Sequence, residues 1–259
     1  MLDRLPEMPR RRFTQVLIGG FLGLLLPTFA APVRAQEELP QDDQVMPELP
    51  SPPFIPPSYI DFACYMAHLN SPQIIDRIVA TNLNAGRQAV TVSEIIEMFS
   101  GEKEVPNVPL FGITLDDGYL SQYTQLAPVL DRRGVPGTFY VMGTGWQGDG
   151  VHQYMKTAQI KDLSERGHDI GSHTVNHASL VALRARNFGA YLGEIYSSKA
   201  QLEDLIQEEI TSIAYPNGSF DQAVIAEATK AGYKGGLTEV VRTRQNIERQ
   251  MEMGRLRAA

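Results

Sequence analysis

The sequence predicts an α/β fold in a single domain, built as a parallel sheet or barrel, and three observations predict it. Short apolar runs rich in β-branched and aromatic residues alternate with stretches whose apolar residues recur at helical spacing. Helix-start signals stand at several of the joins between them. Polar clusters fall where the predicted strands end, the rim at which parallel α/β folds gather their active groups.

The elements follow in chain order. SYIDFACYM, residues 58–66, has the character of a buried strand, with His68 just past its end. Ser71 and Pro72 take N-cap and first-turn positions for a helix carrying Ile74, Ile75 and Ile78. Thr91 and Glu94 make a capping box ahead of Ile95, Ile96 and Phe99, which predicts a second, short helix. The strand VPLFGITL, 108–115, leads to a helix near 121–132, the strand GTFYVMG (137–143), a helix near 157–165 and the short strand HDIGSH (168–173). A long helix over about 189–207 is expected to bury Leu192, Ile195, Tyr196, Leu202, Leu205 and Ile206 on one face. TSIAY (211–215), a helix from Asp221 to Ala231 and YKGGLTE (233–239) complete the alternation. No internal repeat is present.

Two segments precede this domain, which is expected over 58–259. Residues 1–35 combine Arg10, Arg11, Arg12 and Phe13 with a glycine-interrupted apolar stretch broken by Pro27. That pattern predicts an export signal of the twin-arginine type, cleaved after Ala35, with an uncleaved anchor as the alternative. The stretch is too short to cross a bilayer comfortably. Residues 36–57 are acidic and proline-dense and predict an extended tether. The destination is then periplasmic or extracellular, with no stable membrane span after cleavage.

The chain of 259 residues has a net charge of −7, and loss of residues 1–35 leaves 18 basic against 28 acidic side chains. Such a balance argues against nucleic acid and anionic membranes as partners. The lone Cys64 cannot form an intrachain disulfide, so an exported domain must rely on its own core.

Four clusters carry the candidate chemistry. In GITLDDGYLSQY a strand delivers Asp116 and Asp117 into a glycine turn. Adjacent carboxylates repel, so a cation or a division of roles suits them, although an exposed turn uses Asp-Asp-Gly as readily. GHDIGSHTVNHASL places His173 and His177 four apart, near enough to reach one ion, or else to decorate a surface turn. His168 reads as a structural residue. In AYPNGSFD, Pro216 and Gly218 shape a turn that can aim a backbone N–H into a site, or simply join strand to helix. His68 follows the first strand, and Trp146 in GTGWQGDG could stack on a sugar ring or pack its own loop.

Together, TLDDG and HTVNH resemble the first two motifs of the polysaccharide deacetylase family, the metal-dependent carbohydrate esterases, with Leu115 in a usual Phe position. The stretch from TVSEIIEMFSG to GTFYVMG is similar to the branch containing biofilm poly-N-acetylglucosamine deacetylases, in which a histidine after the first strand replaces a C-terminal one. The resemblance implies a distorted (β/α) barrel of about seven strands. It further implies that Asp117, His173 and His177 bind one divalent transition metal, zinc in the first place, with nickel or cobalt as alternatives. Asp116 would be the general base, His68 the acid, and Pro216 and Asn217 part of the oxyanion and substrate site. The implied reaction is removal of N-acetyl groups from an N-acetylglucosamine-containing polysaccharide. A catalytically weak sugar-binding protein and a carbohydrate O-acetyl esterase are the alternatives. The third family motif departs here, because Ala214 stands where the family has an Arg that would partner the base.

Overall fold

The computed structural model describes residues 58–143 and 150–259. The segments expected to be a signal (1–35) and a tether (36–57), and Trp146, lie outside these described residues.

Nine strands form one sheet: β1 (Tyr59–Ala67), β2 (Gln88–Ala89), β3 (Leu110–Leu115), β4 (Thr138–Val141), β5 (Asp169–Ser172), β6 (Ser212–Ala214), β7 (Gly235–Leu237), β8 (Arg244–Asn246) and β9 (Leu256–Arg257). The order is β7-β6-β5-β4-β3-β1-β8, with β2 beside β3 and β9 beside β1. Every pairing is parallel except β8 on β1. β3 lies mid-sheet, and all six of its residues are buried. That explains its unbroken apolar run, since a strand covered on both faces has no polar side to show.

The C-terminal segment closes the sheet. Met253 bridges Leu237, with Met253 N donating to Gly236 O at 2.8 Å and Thr238 N to Met253 O at 2.9 Å. A few residues later Leu256 and Arg257 pair with Tyr65 and Met66 of β1. Residues 253–257 thus run from one edge strand to the central β1 and complete a distorted barrel.

Helices α1 (Pro72–Asn84), α3 (Ala127–Arg133), α4 (Thr157–Glu165), α5 (Leu180–Arg186), α6 (Phe188–Ile206) and α7 (Gln222–Lys230) contribute to one apolar layer outside the strands. Helix α2 (Val92–Ser100) instead belongs with Phe62, Cys64, Tyr140 and Met253 in a second, interior cluster. Its capping box forms as expected, Glu94 N donating to Thr91 Oγ1 and Thr91 N to Glu94 Oε2. Val92 N then donates to Thr138 Oγ1, and Ser93 N and Oγ donate to Asp169. Both acceptors begin strands, so α2 plugs the N-terminal mouth of the barrel and leaves the C-terminal rim open for chemistry.

Several elements differ from expectation. The helix near 121–132 opens with a π-helical turn, Gln122–Leu126, before α3. α5 was not anticipated, and YKGGLTE contributes only three strand residues. Tyr196 does not join the buried stripe of α6, which runs Tyr191, Ile195, Ser198, Leu202 at spacings of four, three and four. One position past Ile195 turns the tyrosine outward, and its hydroxyl donates to Glu227 Oε1 at 2.8 Å.

Candidate functional site

Because β1, β3, β5 and β6 run parallel, the residues just past their ends meet on one rim. Asp116 and Asp117 follow β3, His173 follows β5, His68 follows β1, and the turn Pro216–Gly218 follows β6. The backbone needed to turn these side chains inward is unusual. Among the described residues five non-glycine positions have positive φ: Asp117 (78°), Thr174 (64°), His177 (57°), Asn217 (57°) and Gln207. Gln207 caps α6, while the other four border this rim. Left-handed backbone at non-glycine residues costs energy and concentrates where function fixes a geometry. Gly118 (φ 74°) continues the turn after Asp117 without that penalty.

Asp117, His173 and His177 bring one carboxylate oxygen and two ring nitrogens within 4.8 Å of one another. The Nε2 atoms of His173 and His177 lie 3.2 and 3.3 Å from the same Asp117 Oδ1. His173 Nδ1 sits 2.8 Å from Ala214 O, an acceptor only, so that nitrogen carries the hydrogen and Nε2 keeps its lone pair toward Asp117. Burial would raise the Asp117 carboxyl, but the two histidines outweigh it and hold it down to about 2. A charged carboxylate with two imidazole nitrogens is a donor set suited to a divalent transition metal, and three protein ligands leave a fourth position open.

The loop between the two histidines is clamped from α6. Buried Glu194 accepts from Val175 N (2.9 Å), Asn176 N (2.8 Å) and Asn176 Nδ2 (2.8 Å). A carboxylate facing three donors stays satisfied without a counter-ion and fixes the path from Thr174 to His177.

Asp116, 2% exposed, is separated from this set by its partners. Its Oδ1 accepts from the Arg255 guanidinium at 2.7 Å, and its Oδ2 faces His68 Nε2 at 3.7 Å. Burial pushes this carboxyl up, but Arg255, with His173 and His68 adding to it, draws it below the ordinary range. Arg255 is itself 2% exposed and also donates to Thr238 O and Thr114 Oγ1. An arginine thus pairs with Asp116 although Ala214 stands in the third motif, and it enters from the closing segment rather than from β6. Sequence reasoning missed it, and its only local mark is a charged residue inside MEMGRLR, between residues that pair as strand.

The other expected residues divide. His168 is structural as expected, its Nδ1 accepting from Gly137 N and its Nε2 beside Asp131. Pro216 is buried in the turn after β6, and the Asn217 side chain is exposed.

The family model described as Polysaccharide deacetylase matches residues 103–236, half of the chain. The chain belongs to the polysaccharide deacetylase family. Its relatives include YxkH of Bacillus subtilis, named for the same family, at 29% identity over 59% of this chain and 52% of that protein. The peptidoglycan-N-acetylglucosamine deacetylase of Bacillus cereus is 31% identical over 51% of this chain and 57% of its own length. The peptidoglycan-N-acetylmuramic acid deacetylase PdaA of Bacillus subtilis is 30% identical over 47% and 43%. The chain thus spans about half the length of the curated relatives it matches. Two solved structures share the fold: IcaB of Ammonifex degensii (TM-score 0.68, 21% identity, 77% of this chain and 92% of that one) and the Streptococcus pyogenes deacetylase PplD (0.67, 21%, 78% and 92%). Asp116, Asp117, His173, His177 and the 216–218 turn of this deacetylase-family chain fall inside the matched range, whereas His68 and Arg255 fall outside it.

Proposed function

We propose that this protein is an exported, metal-dependent hydrolase that removes N-acetyl groups from a polysaccharide containing N-acetylglucosamine. One observation carries the reading: two adjacent carboxylates face different partners, Asp117 the histidine pair and Asp116 a buried arginine and His68. Asp117, His173 and His177 would hold the ion, zinc, nickel or cobalt by donor type. When bound, a divalent ion supplies Lewis acidity, which acidifies water and polarises a carbonyl.

The rest is done by side chains. Asp116, kept charged by Arg255, takes a proton from the attacking water through Oδ2 as the new C–O bond forms at the acetyl carbon. The turn at Pro216–Asn217 supports the developing oxyanion through its backbone. As the C–N bond breaks, His68 gives its proton to the leaving amine, and acetate and a free amino sugar result. With 3.7 Å between His68 Nε2 and Asp116 Oδ2, the proton gained by the base can pass to the acid and reset both. The names of two relatives, which deacetylate amino sugars of peptidoglycan, support the amide as the bond attacked. The segment around Arg10–Phe13 supports export, and among the described residues no helix is long and apolar enough to cross a membrane.

The test is acetate release from defined N-acetylglucosamine oligomers by metal-loaded protein, with Asp116→Asn expected to lower turnover by about 10² or more. Turnover of O-acetyl sugars with none on the oligomers would replace the amide reading by an esterase.

A further inference from the structure

The last paired residues of β1 and β3 are Ala67 and Leu115, and the final main-chain bond of that pairing runs from Asp116 N to Ala67 O at 3.0 Å. Beyond it the two chains have no further ladder bond, yet this is where His68 and Asp116 must hold their spacing. A side chain supplies the next rung. Gln122 Nε2 donates to the carbonyls of both Asp116 and His68, the latter at 3.2 Å. The N–H of His68 donates to Asn70 Oδ1 at 3.1 Å, and Asn70 Nδ2 donates in turn to Ala258 O, just past β9, at 2.9 Å. Both main-chain polar groups of His68 therefore end on side-chain amides.

Among the described residues the imidazole makes no comparable hydrogen bond. It is 41% exposed, and its ion-pair contact is with Asp116 at 3.7 Å. Its position must come from its backbone. Gln122 bears a cost for serving that backbone: fully buried, its Oε1 has no partner among the described residues. An unpaired buried carbonyl is destabilising, a cost that an apolar residue of similar shape would avoid. Gln122 also opens the π-helical turn, an irregularity found preferentially near functional sites.

We propose that Gln122, with Asn70, is a positioning residue that fixes His68 over Asp116, so that the proton reaches the leaving amine. The inference rests on the assignment of His68 as the acid. Displacement of a reacting group by about 1 Å can cost on the order of 10² in rate. The effect should appear only where a leaving group needs that proton.

The experiment compares kcat on N-acetylglucosamine oligomers with kcat on an activated aryl acetate, using the full chain loaded with zinc, for Gln122→Met, Asn70→Ala, His68→Ala and the pair His68→Ala/Gln122→Met. Gln122→Met should lose about 10-fold or more on the amide and less than about 2-fold on the ester, with zinc affinity unchanged. It should add nothing on the amide once His68 is gone. Asn70→Ala, at a half-buried position, should show the same selectivity if Gln122→Met folds poorly. Equal losses on both substrates, or a further loss in the double variant, would overturn the inference while leaving the acid assignment standing. An unchanged amide-to-ester ratio in His68→Ala would remove the acid assignment and this inference with it.

Discussion

A carboxylate sealed inside a barrel against a guanidinium is a commitment for both residues. With Asp116 and Arg255 each 2% exposed, removing one leaves the other as an uncompensated interior charge. Breaking such a pair costs about 3–5 kcal/mol, so Arg255→Met should lower unfolding free energy by that order in urea titrations. Asp116→Asn should be milder, since its amide oxygen still accepts from Arg255. The double variant Asp116→Asn/Arg255→Met should be less destabilised than the sum of the singles yet remain inactive. Strict additivity would mean that the pair contributes nothing as a pair. The two aspartates and the two histidines were legible in the sequence because each pair is separated by no more than four residues and comes with its own turn. Arg255 was not legible, because its partner lies 139 residues away and nothing near MEMGRLR points to it.

The helix α2 shows how an element can carry a pH response far from the chemistry. Asp169, at the start of β5, accepts from Ser93 N, Ser93 Oγ and Thr138 Oγ1 and so ties the helix start to two strands. Burial, only partly offset by those donors, pushes its carboxyl up to about 6. A folded-state value above the unfolded one means that the fold binds the proton more tightly. The stabilising contribution is full below about pH 4 and is lost as pH rises through about 6. Asp169→Asn cannot titrate, so the stability difference between wild type and variant should change between pH 4.5 and 7.5 in favour of the wild type at the acid end. Parallel stability curves would show that Asp169 does not titrate in that window. On α6, Glu194→Gln should weaken zinc binding by about 10-fold with the fold retained, the scale expected when an outer-sphere partner of a ligand loop is altered. Capped helices such as α1 and α2 were readable because their signals are local. β8, β9 and α5 were not, since two or three strand residues show no alternation and LVALRAR follows the histidine motif without a break signal.

Across the whole molecule, any ion that binds the fold and not the unfolded chain must raise the unfolding temperature. At 100 times its Kd the gain is about 2.7 kcal/mol, so zinc should stabilise the wild type and leave His173→Ala unmoved. Equal shifts in both proteins would place the ion elsewhere. The parallel barrel was legible from the strand–helix alternation, but its manner of closure was not, because residues 253–257 bond to strands far away in sequence. That closure sets an order of assembly. The three prospective ligands all lie between residues 117 and 177, while the arginine that settles the charge of Asp116 comes only with residue 255. A ribosome therefore delivers the prospective ligands well before the arginine that pairs with Asp116. A chain cut in the loop after β7, at the exposed Val240 and Val241, would keep the three prospective ligands and lose Arg255, so zinc content alone would not report the ability to turn over substrate.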